Sequence, residues 1–220
     1  MKLVIFNGSP RYKKSNSAIL TEHFLKGHSL FCSEPVPVYY IANYKQREAA
    51  AQIVEDADTV LVIFPLYTDC MPGIVKEFFE ILAAHKYSSA KQLGFIVQSG
   101  FPESIHSMGL ERYLEKLTHR LQFDYLGTVI KGGVEGIQIM PPAMTKKLYG
   151  QFEMLGAHFA QHTAFEPTLV TQLRKPYRFS KTYAWVFNLL SKTGITNFYW
   201  NSNLKKNGAF EQRFDRPYRN

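Results

Sequence analysis

Cysteine is nearly missing: the 220 residues include only Cys32 and Cys70, far apart and in no paired-ligand spacing. That excludes a disulfide framework and a multi-cysteine metal or iron–sulfur site built from this chain, and the expected compartment is a reducing cytoplasm. Long apolar runs are missing too. The longest, Thr59–Tyr67 and Ala184–Leu190, fall well short of the ~20 residues that cross a bilayer, so no membrane span is expected. The opening apolar stretch Leu3–Phe6 is broken at once by Asn7-Gly8-Ser9-Pro10, which is not the shape of a secretory signal. Internal repeats and low-complexity tracts are absent. Acidic residues are scarce, 18 against 26 Lys and Arg, for a formal net charge of +8.

That scarcity is local. Residues 1–163 hold 16 basic and 15 acidic residues, whereas 164–220 hold ten and three. A basic C-terminal segment of this kind attracts phosphates, an anionic membrane surface or the acidic face of a partner subunit, or is simply a solvated face. Its interleaved aromatics (Tyr177, Phe179, Tyr183, Trp185, Phe187) favour a buried partner or self-contact, because such surface is costly in water. Nucleic acid is not the expected partner. What the chain does have is apolar mass, 45% hydrophobic and 15% aromatic. A folded chain of this size buries roughly 70% of its unfolded surface and needs no metal or disulfide staple.

Apolar runs alternate with helix-period segments through residue 163. Strands are expected over Lys2–Asn7, Val36–Ile41, Thr59–Phe64, Leu93–Gln98 and Asp124–Ile130. Helices are expected over Ser17–Lys26, Gln46–Ala57, Pro72–Ala84, Gly109–Leu121 and Thr145–Thr163. Pro35 and Pro37 put the second strand at a sheet edge. Thr59–Phe64 has no polar alternation, as a central parallel strand covered on both faces requires. Five strand-then-helix units in series argue an α/β doubly wound parallel sheet. The last 57 residues break this rhythm. They hold one further helix, Ser180–Lys192, with Tyr183, Val186, Phe187 and Leu190 on a stripe, and then Asn197–Asn220 without clear periodicity. The domain reading is therefore residues 1–163 followed by a basic, aromatic-rich helical extension, 164–220.

Ligands of an open α/β sheet sit at the carboxyl ends of its strands, so three loops matter. The first, Asn7-Gly8-Ser9-Pro10-Arg11-Tyr12-Lys13-Lys14-Ser15-Asn16-Ser17, joins a strand directly to a helix. Gly8 permits a tight turn, the three serines offer hydroxyls, Arg11 offers a guanidinium, and Asn16 can cap the helix. These groups suit a terminal phosphate dianion. The loop is neither a Walker loop nor a dinucleotide fingerprint, whose further glycines it lacks. The second loop is Pro65-Leu66-Tyr67-Thr68-Asp69-Cys70-Met71-Pro72-Gly73, whose backbone amides can face a flat heterocycle. The third is Gln98-Ser99-Gly100-Phe101-Pro102-Glu103, a glycine-containing exit with an aromatic.

NGSPRYKKSNS, FPLYTDCMPG and QSGFPES together resemble the flavodoxin-like NAD(P)H-dependent FMN reductase and NAD(P)H:quinone oxidoreductase superfamily, over roughly residues 1–163. The resemblance implies a five-stranded parallel sheet of order 2-1-3-4-5 carrying FMN, with NADH or NADPH as co-substrate. It implies that Ser9, Arg11, Ser15, Asn16 and Ser17 bind the phosphate, that Pro65, Leu66, Tyr67 and Thr68 lie against the isoalloxazine, and that Ser99, Gly100 and Phe101 meet its pyrimidine side. The expected activity is hydride transfer from NAD(P)H through FMN to a quinone, a flavin or a similar small-molecule acceptor. The alternative is a flavodoxin-type electron carrier with no NAD(P)H activity of its own. A homodimer is expected, its site roofed partly by the extension. No catalytic acid, base or nucleophile is assigned, since hydride transfer needs none from the protein. His158 and His162 stand at i, i+4 but lack a third ligand, so no metal is expected. Cys70 reads as a small buried thiol, and Gly133-Val134-Glu135-Gly136 is too fragmentary for a nucleotide loop.

Overall fold

The structure is a computed structural model and describes residues 2–194 and 197–216, the side chains of 183, 184, 187, 198 and 199 excepted. Tyr183 and Phe187 of the expected C-terminal stripe therefore lie outside the described side chains. Five strands form one all-parallel sheet in the order β2-β1-β3-β4-β5, as expected. They are β1 (Leu3–Asn7), β2 (Val38–Tyr40), β3 (Thr59–Pro65), β4 (Gln92–Gln98) and β5 (Asp124–Lys131). Successive side chains of a strand point to opposite faces, so a strand covered on both sides must be apolar throughout. Val4, Phe6, Val60, Val62, Phe64 and Phe95 enter one apolar layer. Leu3, Ile5, Leu61, Ile63, Ile96 and Val129 enter the other.

Helices cover both layers. On the first, α3 (Ala50–Glu55), α4 (Gly73–Ala83) and α5 (Met108–Arg120) supply Val54, Val75, Phe78, Phe79, Leu82 and Leu114, while the short α2 (Tyr44–Glu48) before them buries no residue. On the second, α1 (Asn16–His28), α6 (Pro142–His162) and α7 (Pro167–Leu173) supply Leu20, Phe24, Phe152, Phe159, Leu169 and Leu173. The α1–α6 contact is close enough to require glycine. A Cβ on Gly27 would lie 1.7 Å from the Glu153 carbonyl oxygen, and one on Gly156 would lie 1.8 Å from that of Phe24.

Local expectations needed revision in four places. Ser15, not Asn16, caps α1: its backbone is extended and its hydroxyl oxygen accepts from the Ala18 amide at 3.1 Å. The expected helix 46–57 is two short ones meeting at Ala49, whose ψ of −1° departs from the helical value and turns the axis. Cys70 is exposed rather than buried, because it ends a turn that stands off the sheet. Residues 167–173, for which no element is expected, and 198–206, within the stretch without clear periodicity, are the helices α7 and α9 (Phe198–Lys206). The α7 helix buries Leu169 and Leu173, two apolar positions four apart in too short a window to register as a period.

The chain forms two compact units, Met1–Arg178 and Phe179–Asn220. The second holds α8 (Lys181–Ser191) and α9, a helical C-terminal region as expected. Among the described residues no helix is long and apolar enough to cross a membrane.

Candidate functional site

Strand order reverses between β1 and β3, so a crevice opens beyond their carboxyl ends. The loop leaving β1 is shaped first by its own side chains. Asn7 Oδ1 accepts from the Ser9 amide at 2.9 Å, which turns the chain. Gly8 donates its amide to the Ile63 carbonyl at 2.8 Å, and a Cβ there would meet Val75 Cγ2 at 2.5 Å, so only glycine lets the loop lie this close to α4. Ser9 Oγ accepts from the Arg11 amide at 3.3 Å. Ser15 donates its hydroxyl to the Tyr12 carbonyl at 2.7 Å while capping α1. The amides of Asn16 and Ser17, in the first turn of α1, have no intrahelical acceptor, and the helix dipole adds partial positive charge there.

The loop after β3 is a two-residue hairpin. Tyr67 and Cys70 exchange backbone hydrogen bonds at 2.8 and 3.0 Å, and Thr68 and Asp69 between them have φ of 49° and 59°. Both turn residues thus occupy the left-handed region, which a β-branched threonine rarely enters. Leu66 donates its amide to the Gln98 carbonyl at 2.7 Å, tying this loop to the next. In that third loop Ser99 Oγ donates to the Phe101 carbonyl at 3.0 Å.

A fourth segment, the exit of β5, closes the site. Ser99 donates its amide to Lys131, Val134 donates to Ser99, and Gly133 donates to Phe101, at 3.0, 3.0 and 2.9 Å. Gly132 is needed because a Cβ there would lie 2.4 Å from the Phe101 carbonyl oxygen. Asn16 spans the gap from the other side: its amide nitrogen donates to the Val134 carbonyl at 2.7 Å and its oxygen accepts from Gln138 Nε2 at 2.8 Å. Burial lowers the pKa of Lys131 at the end of β5, with nearby Lys147 acting in the same direction.

These loops enclose a cleft of about 60 Å³. Of the residues singled out in the sequence, Ser9, Arg11, Asn16, Pro65, Leu66, Tyr67, Ser99 and Gly100 line it. Ser15, Ser17, Thr68 and Phe101 do not. Ser15 works as a cap. Ser17 is fully buried, its hydroxyl accepting from Gln98 Nε2 at 3.4 Å. Thr68 occupies the hairpin tip, and Phe101 stands 54% exposed with its ring 4.7 Å from that of His106. Gln98 and Glu135 complete the lining. Glu135 is among the lining residues that sequence reasoning does not single out: the Gly133–Gly136 run matches no nucleotide-loop motif, and its place at a strand exit is the one signal toward the cleft. His158 and His162, four apart on α6, have rings 4.4 Å apart. Among the described residues no three His, Cys, Asp or Glu side chains gather as a metal site.

The cleft fits a phosphorylated, flat ligand. The Ser9 hydroxyl, the first-turn amides of α1 that lack an intrahelical acceptor and the Arg11 guanidinium gather at one end, suited to a dianion. Tyr67 and Phe101 stay 44% and 54% exposed at the neighbouring loops, aromatic surfaces available for stacking. The enclosed volume is smaller than a flavin nucleotide, so much of such a molecule would rest on open surface.

Comparison with known proteins agrees with this geometry. No curated protein sequence matches the chain. Among solved structures, an FMN-dependent NADH-azoreductase from Bacillus anthracis in complex with FMN is 15% identical, with 73% of this chain and 100% of that one covered and a TM-score of 0.54. An NAD(P)H:quinone oxidoreductase from Methanothermobacter marburgensis is 15% identical over 73% and 96%, TM-score 0.57. An NADPH-quinone reductase from P. pentosaceus is 17% identical over 70% and 96%, TM-score 0.54. At these identities the likeness is one of fold. Residues 1–121 match the family model of NADPH-dependent FMN reductase, more than half of the chain. A doubly wound sheet, a phosphate-suited first loop and this match lead to one conclusion: the chain belongs to the NADPH-dependent FMN reductase family and is an FMN-dependent NAD(P)H oxidoreductase.

Proposed function

We propose that this oxidoreductase passes the electrons of NADH or NADPH to a quinone, a free flavin or a similar small-molecule acceptor. One observation carries the reading: loops far apart in sequence, after β1, β3 and β4, meet with the β5 exit in a single cleft at the strand-order reversal. Bound FMN supplies a carrier that accepts two electrons from a nicotinamide and gives them up to an acceptor. The chain's own residues bind, orient and shield it.

In this reading Ser9, Arg11 and the first-turn amides of Asn16 and Ser17 hold the phosphate. The side chains of Ser15 and Asn16 act mainly on the protein, one capping α1 and the other tying the loop to the β5 exit. Pro65, Leu66, Tyr67 and Thr68 form one wall for the isoalloxazine; Ser99, Gly100 and Phe101 form the wall at its pyrimidine side. Backbone amides of these two loops stabilise negative charge on the reduced ring, as the donors of an oxyanion hole do. No side chain is assigned as acid, base or nucleophile. A homodimer in a reducing cytoplasm belongs to the same proposal, and the two free cysteines are compatible with that compartment.

Purification under native conditions should give a yellow protein that releases FMN on denaturation. Steady-state oxidation of NADH or NADPH should then depend on an added quinone or free flavin. A colourless protein that takes up no added FMN would defeat the assignment. FMN retention without NAD(P)H consumption would instead point to a flavodoxin-type carrier.

A further inference from the structure

The unit Phe179–Asn220 has no place in the chemistry above, and its surface is unusual. It carries seven Lys and Arg against two acidic residues. On α8, Trp185, Val186, Leu189 and Leu190 are 67%, 42%, 52% and 45% exposed. Trp185 with Leu189, and Val186 with Leu190, are spaced four apart, so at about 100° per residue the four share one apolar arc of roughly 140°. Lys181 opens the helix and Lys192 follows it. By the same geometry both lysines fall within about 40° of the Trp185 direction, along one border of the arc. Eleven residues make a helix only about 16 Å long, too short for a hydrocarbon core of about 30 Å. Elsewhere in the unit Phe214 is 79% exposed, with the Arg213 guanidinium 4.8 Å from its ring.

We propose that this unit docks on an anionic phospholipid surface, with α8 lying in the plane of the interface. An apolar arc holding a tryptophan and bordered by lysines is what an interfacial helix needs: the arc enters the acyl boundary and the ammonium groups reach the headgroups. Each cation near such a surface contributes about a fivefold gain in binding. Charge decides against other occupants. The 1–178 unit is itself net basic, with 19 Lys and Arg against 16 acidic residues, so a second copy offers like charge in bulk rather than a complement. A nucleic acid would satisfy the cations but leave Val186, Leu189 and Leu190 in water. Docking brings the enzyme to the surface where lipid-dissolved acceptors reside. That consequence rests on the quinone reading; the docking itself does not.

The test is co-flotation of the full-length, FMN-loaded protein with vesicles of pure phosphatidylcholine and with vesicles containing about 30% phosphatidylglycerol. Binding to the anionic vesicles is expected to be at least about tenfold stronger and to weaken as salt is raised. Trp185→Ser with Leu189→Ser should cut that binding about tenfold or more, with FMN content and NAD(P)H oxidation by soluble acceptors unchanged. Lys181→Gln with Lys192→Gln, which spares the apolar face, should lower binding to anionic vesicles alone. Four results would each overturn the proposal: no anionic vesicle binding, equal binding to both vesicle types, a concentration-dependent dimer lost in W185S/L189S without vesicle binding, or salt-sensitive capture of random duplex DNA by the same face. FMN content is read in every sample, so failure of docking and failure of the flavin assignment are separable.

Discussion

Arg11 Nη1 stands 3.8 Å from a carboxylate oxygen of Glu135, across the cleft that the β1 and β5 loops share. Both side chains are half exposed, so the pair itself contributes little to stability, on the order of 0–1 kcal/mol. In the proposed phosphate site its importance is competitive: Glu135 stands beside the guanidinium that would meet the phosphate. Glu135 also lies over Gly100, with its Cβ 3.3 Å from where a Gly100 Cβ would be. Glu135→Gln should therefore tighten FMN binding by about two- to fivefold, while Arg11→Ala weakens it by about ten- to a hundredfold through loss of charge-assisted hydrogen bonds. Fluorescence titration of apoprotein with FMN measures both. Equal affinity in all three proteins would remove Arg11 from the phosphate site.

The α1–α6 contact predicts a severe folding defect from a single methyl group. Gly27→Ala or Gly156→Ala forces a Cβ within 2 Å of a helix carbonyl oxygen, and neither backbone can give locally. The helices must separate and open the layer around Phe24 and Phe159. We expect a loss of at least about 3 kcal/mol, or insoluble protein. Urea unfolding of the soluble fraction provides the measurement, with Gly150→Ala on the open side of α6 as the control.

At the hairpin tip, Thr68 and Asp69 hold positive φ without being glycine or asparagine. Thr68→Asn with Asp69→Gly installs the pair that this turn favours. The double variant should gain about 1 kcal/mol, seen as a rise of roughly 2–4 °C in Tm for a chain of this size. An unchanged or lowered Tm would show that the threonine and aspartate earn their place through contacts other than backbone conformation.

Glu166 caps α7, accepting from the Thr168 and Leu169 amides at 3.0 and 2.5 Å. The Thr168 amide bond is the main cause that holds its carboxyl below the usual value of 4.5. A depressed folded-state pKa gives stability that is full above the unfolded value and lost as pH falls through the folded one. Glu166→Ala should thus lower Tm by a few degrees at pH 7 and by much less at pH 3. Thermal unfolding at the two pH values tests the sign: an equal drop at both would exclude the carboxylate as the cap.

The sheet was legible because its physical code is one-dimensional. Uninterrupted apolar runs such as TVLVIF can be covered only on both faces, and the turn residues of NGSPR end a strand wherever it lies. Contiguity likewise marked Ser9, Arg11 and Asn16 as one loop at a strand exit, and all three line the cleft, whereas the duties of Ser15 as a cap and of Ser17 beside Gln98 were not legible. The sequence also located the charge excess in the C-terminal quarter. Tertiary structure decided what depends on distance between remote segments. Glu135 faces Arg11 only because β5 returns beside β4. Asn16 gives up a cap for a bond to Val134 only because that carbonyl arrives beside it. Gly27 and Gly156 look unremarkable until two helix axes bring a carbonyl against each. Periodicity and spacing record what a segment prefers; which segments meet is settled by the closure of the sheet and the packing of its two layers.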